Sequence, residues 1–169
     1  VDYDLSRLGE SQFEHLTQSL AIAELGPSVE VFGDGPDGGR EASFAGTFDM
    51  QTGVRWSGYA VLQSKYSERL LGSSPDQAWF FSQLRAELDR WVRKGSKRRR
   101  HPEFLLVATN VHLSGVADRG GIDRIDDLLT EFAGKGLVLK GYQVWHAATR
   151  FAPCSTTITT CDALTQILC

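Results

Sequence analysis

The chain predicts an α/β fold, a mixed sheet with helices on both faces. Three observations carry it. Phe104-Leu105-Leu106-Val107-Ala108-Thr109 is a continuous apolar run, as a strand buried on both faces requires. Residues 41–48 and 56–66 are strand-like runs separated by the turn Asp49-Met50-Gln51-Thr52-Gly53, which reads as an antiparallel hairpin. Stretches of helical periodicity alternate with these strands.

In order, residues 1–8 are a polar lead-in. Ser11-Gln12-Phe13-Glu14 opens a helix with Ser11 as cap, and Phe13, Leu16, Leu20 and Ala23 recur at helical spacing. Ser11 and Glu14 together read as a capping box. Gly26-Pro27 ends the helix. Val29-Glu30-Val31-Phe32 reads as a short strand, followed by the glycine-rich turn Gly33-Asp34-Gly35-Pro36-Asp37-Gly38-Gly39-Arg40-Glu41. After the hairpin, Ser74 as cap and Pro75 at the first helical position start the longest helix. Its buried stripe is Phe80, Leu84, Leu88 and Trp91, and it stops at Gly95. Ile122, Ile125, Leu128/Leu129 and Phe132 mark a third helix ended by Gly134 to Gly136, and residues 137–146 form a last strand.

The totals bound the class. The 169 residues, 41% hydrophobic and 23% charged, suffice for one domain with a real core. No apolar run approaches the roughly 18 to 20 residues of a membrane span, and no signal-peptide pattern opens the chain. The expectation is a cytoplasmic protein that does not enter a membrane. The net charge of −3 does not announce nucleic-acid binding, though a local basic patch suffices for it. Lys97, Arg98, Arg99 and Arg100 form the one basic cluster. It reads either as a phosphate-contacting loop or as a solvated linker. There is no P-loop and no G-x-S-x-G. The four histidines are scattered, and His146 reads as a core or rim residue.

The chemistry concentrates at two places. The glycine-rich turn ends on an acid, Glu41. The run Tyr59-Ala60-Val61-Leu62-Gln63-Ser64-Lys65-Tyr66 ends with Gln63 and Lys65, which alternation puts on one face of a strand. Across the hairpin, Glu41 is expected near Lys65, within about 4 to 7 Å, as one metal-bound phosphate requires. Each part also has an ordinary reading. Asp-Gly clusters are often solvated loops, and a strand-end lysine often snorkels.

Asp37-Gly38-Gly39-Arg40-Glu41, Gln63-Ser64-Lys65 and Phe13-Glu14-His15-Leu16 resemble, in order, the D-x-G-x-D, Q-x-K and F-E-x-L motifs of the PD-(D/E)xK restriction-endonuclease-like nucleases, Mrr-like branch. Glu41 replaces the second Asp, and Gln63 stands where others carry an acid. The resemblance spans about residues 9–146. It implies a restriction-endonuclease-like fold with an α-β-β-β-α-β core plus a helix and a strand. It also implies Mg²⁺, with Mn²⁺ as substitute, held by Glu41, Asp37 and Gln63. Lys65 would stabilise phosphoryl charge and Glu14 would stand near the site. The implied activity is metal-dependent DNA endonuclease. The setting would be a prokaryotic antiviral defence effector, joined to further domains such as a STAND/NACHT-type ATPase, or a homo-oligomer. The alternative is a non-catalytic nucleic-acid-binding or sensing module of the same fold.

Residues 147–169 differ from the rest. They hold Cys154, Cys161 and Cys169 in C-x6-C-x7-C spacing, are rich in threonine, and contain Asp162 as their only acid. That spacing is not a recognised zinc pattern, and an odd cysteine count suggests free thiols. The expectation is a nuclease domain over 1–146 and a non-native, frame-shifted or joined-on tail with little structure. The start at Val1 points the same way, to a piece of something larger.

Overall fold

The computed structural model describes residues 4–26, 29–31, 42–49, 55–96, 100–114 and 120–147. A short 3-10 turn (Leu5–Arg7) precedes α1 (Glu10–Leu25). Then come β1 (Glu30–Val31), β2 (Ala42–Asp49), β3 (Arg55–Lys65), α2 (Ser73–Val92), β4 (Phe104–Thr109), α3 (Gly121–Gly134) and β5 (Gly141–Trp145). The strands form one mixed sheet in the order β1-β2-β3-β4-β5. β2 is antiparallel to β1 and to β3, whereas β4 is parallel to β3 and β5 to β4. The α/β class and the element order match the sequence-based expectation.

Strand alternation sorts side chains into two cores. Ala60, Leu62 and Tyr66 join Phe13, Leu16 and Leu20 of α1 on one face. Tyr59 and Val61 join Phe80, Leu84 and Leu88 of α2 and Ile125, Leu128 and Phe132 of α3 on the other. Each such aliphatic or aromatic side chain contributes about 1.5–3 kcal/mol of burial free energy. All six residues of β4 are buried, as its unbroken apolar run required.

The lead-in is less polar in role than expected. Leu5 is 5% exposed and belongs to the α1 core. The Tyr66 hydroxyl ties this segment down by donating to the carbonyls of Leu8 and Ser6.

Helix starts differ from the reading of the sequence. α1 begins before Ser11. The Gly9 N–H donates to the Gln12 side-chain oxygen at 3.0 Å, and the Phe13 N–H to Gly9 O at 2.9 Å. Gln12 therefore makes the backward bond expected of Glu14, Gly9 has no side chain to make the forward one expected of Ser11, and Glu14 lies inside the helix. α2 likewise starts at Ser73 with Gly72 as its N-cap residue, not Ser74. Asp76 closes that turn by accepting from the N–H groups of Leu71 and Gly72 at 2.8 and 3.0 Å. The helix ends at Val92, short of Gly95, and the last strand is confined to Gly141–Trp145.

The two ends of the sheet are fastened by side chains. At one end, Glu103 accepts from the Tyr59 N–H at 3.0 Å and pairs with Lys140 at 2.5 Å. Its own N–H donates to Tyr59 O, and its carbonyl accepts from the Lys140 N–H. At the other, buried Asn110 accepts from the Ser67 N–H at 2.8 Å and donates to Ser67 O at 2.9 Å. This clasp fixes the exits of β3 and β4, where the candidate site lies. The tail expectation concerns residues that, from 148 on, lie outside the described residues.

Candidate functional site

The C-terminal end of β3 is unusual for a central strand. After the apolar run it carries Gln63 at 0% exposure, then Ser64, then Lys65. As alternation demands, Gln63 and Lys65 share the face of Tyr59 and Val61, under α2. A fully buried amide requires hydrogen-bond partners. One is Lys65, whose Nζ donates to Gln63 Oε1 at 3.1 Å.

α2 adds a group that the motifs did not single out. Glu87 is 2% exposed, and its Oε2 lies 3.9 Å from Lys65 Nζ and 3.0 Å from Arg90 Nη1. The signal was present in the sequence. Glu87 falls on the buried stripe, three residues after Leu84 and beside Leu88, where an acid has no place without a cation. What the sequence did not reveal was which cation.

Glu14, by contrast, is half-buried on α1, which packs on the opposite face of the sheet from Gln63 and Lys65. Its carboxylate accepts from Gln18 Nε2 at 3.5 Å, and its carbonyl from the Thr17 hydroxyl at 2.8 Å. Asp37 and Glu41 lie outside the described residues, and so does the expected approach of Glu41 to Lys65. Among the described residues no three His, Cys, Asp or Glu side chains are grouped to hold a metal ion. The described donors at this end are a neutral amide oxygen already accepting from Lys65 and a carboxylate flanked by two cations. Alone, these do not fit a divalent cation, which takes several oxygen ligands with net negative charge.

Of the basic cluster, Lys97, Arg98 and Arg99 lie outside the described residues. Arg100 is exposed, and its guanidinium stacks over the Tyr59 ring at 3.8 Å. It therefore stands over the same face of β3 as Gln63 and Lys65, toward the other end of the strand.

His146 follows β5 and is a core residue at 5% exposure. Its Nδ1 accepts from the Leu113 N–H at 3.4 Å, and its ring meets His112 edge-on at 6.0 Å. Burial, and secondarily the neighbouring His112, hold its pKa below the usual histidine value. No described helix is long and apolar enough to cross a membrane. No family model, curated protein or solved structure matches this chain.

Proposed function

We propose that the chain is a metal-dependent DNA endonuclease of the PD-(D/E)xK, Mrr-like type, hydrolysing phosphodiester bonds as an effector domain in prokaryotic defence. The restriction-endonuclease-like fold is part of this proposal. The α-β-β-β-α-β order and the parallel pairing of β3 with β4 support it. The observation that carries the reading is the Gln63–Lys65 pair, side by side at the end of a central strand and 3.1 Å apart. In this reading Asp37 and Glu41, with Gln63, would hold Mg²⁺ or Mn²⁺, which when bound would polarise the scissile phosphate and activate water. Lys65 presents a fixed ammonium to the phosphoryl oxygens as their charge grows. Arg100, with Lys97, Arg98 and Arg99, contacts the DNA backbone.

The test is incubation of the protein with supercoiled plasmid and Mg²⁺ or Mn²⁺, with Lys65→Ala alongside. Nicking by the wild type that chelation and the variant both abolish is the expected result. A variant that cuts at the wild-type rate, or a wild type inert at every metal and protein concentration, rejects the reading. One observation favours a second reading, a non-catalytic nucleic-acid-binding module. Gln63 is fully buried and its oxygen is already bonded to Lys65, as in a purely structural polar pair. Salt-dependent DNA binding without cleavage would select that alternative.

A further inference from the structure

We propose that Glu87 is the positioning residue for Lys65, a buried helix acid that aims the lysine ammonium at the end of β3. The assignment of a task to Lys65 rests on the nuclease reading; the positioning itself rests on geometry. Beyond Asp76 and Gln77 in the first turn, the other buried residues of α2, Phe80, Leu84, Leu88 and Trp91, are apolar. A carboxylate at 2% exposure in that stripe is strongly unfavourable without a cation. Arg90 supplies one from the solvent side, its side chain 58% exposed. Lys65 supplies the other from beneath, its side chain 15% exposed.

Seen from Lys65, the same geometry has a different meaning. Its strand neighbour Gln63 offers only a neutral dipole, at 3.1 Å. Position 63 carries no negative charge of its own. Among the described residues, a carboxylate faces the lysine from α2, at 3.9 Å. Two acceptors on different elements fix the direction of a flexible four-carbon side chain better than one on its own strand. A cation held in this way loses little conformational freedom when it meets a phosphate.

The experiment observes the Lys65 ammonium directly by NMR, with its signal assigned through its loss in Lys65→Arg. In the wild type the ammonium should be ordered, in contrast to that of the exposed Lys94. In Glu87→Gln that order should be lost, and kcat for plasmid should fall about 10-fold with KM little changed, the scale of losing a group that orients a functional side chain. Arg90→Gln should leave the order of Lys65 in place. A Lys65 ammonium as mobile as that of Lys94 in the wild type overturns the proposal, even if Glu87→Gln does not fold. An unchanged order in folded Glu87→Gln overturns it as well. If the wild type does not cleave DNA, the nuclease reading fails separately, and the ammonium order still decides the positioning.

Discussion

Truncating Lys65 to alanine removes a hydrogen bond to Gln63 and a cation from the side of buried Glu87. Arg90 remains on the carboxylate at 3.0 Å, so the charge is not stranded. The expected loss of stability is about 1–3 kcal/mol, the scale of leaving a buried polar group unsatisfied, measured by urea unfolding. A strand-end lysine read as partly exposed would have suggested a smaller cost. If cleavage is the activity, its rate should fall on the order of 100-fold or more. His146 gives a second residue-scale prediction. Its folded pKa is depressed, so the unfolded chain takes up a proton at higher pH than the folded one. The associated stability is complete above the unfolded value of about 6.5 and declines as pH falls toward the folded value. His146→Gln should flatten the slope of unfolding midpoint against pH in that interval, and an unchanged slope would assign the pH dependence elsewhere. Gln63 and Lys65 were legible as a pair because strand alternation is local. Glu87 was visible as an anomaly, but its partner depends on where α2 crosses β3, which no local pattern encodes.

Among the elements, the β2–β3 hairpin shows how a strand is built around a neighbour's side chain. Gly58 has φ +149°, and a Cβ there would lie 2.7 Å from Glu103 Oε1. That oxygen accepts from the Tyr59 N–H. Gly58→Ala should therefore displace the carboxylate that fastens β3 to β4 and strain the backbone, costing about 1–3 kcal/mol in thermal or chemical unfolding. A variant as stable as the wild type would show that Glu103 swings aside freely. Element types were readable throughout, since the apolar run of β4 and the stripes of α2 and α3 are strong periodic signals. Helix starts were not. Ser11 and Ser74 are good cap residues, yet both lie inside their helices, whose cap positions are Gly9 and Gly72, and Gln12 and Asp76 reach back to N–H groups at and before those glycines. Several polar residues stand near each start, and which of them takes the cap position depends on how the chain enters the helix.

For the molecule as a whole, the nuclease reading makes DNA affinity an electrostatic property of a chain with net charge −3. Neutralising Lys97, Arg98, Arg99 and Arg100 together should weaken binding and flatten its dependence on salt. Titrations at several salt concentrations that superimpose on the wild type would leave these residues as a solvated linker. The same view gives β4 a consequence of its own. Phe104, Leu106 and Ala108 belong to the core beneath α1, whereas Leu105 and Val107 belong to the core beneath α2 and α3. A partial opening that lifts either helical layer leaves β4 held by the other and by β3 and β5 on its flanks. Its amide hydrogens should then exchange with solvent only through global unfolding, while those of α1 and α3 escape earlier through separate openings. Hydrogen exchange across a denaturant series should show β4, together with the doubly covered stretch of β3, following the full unfolding free energy from the outset, making these central strands the place where the two halves of the molecule become a single cooperative unit.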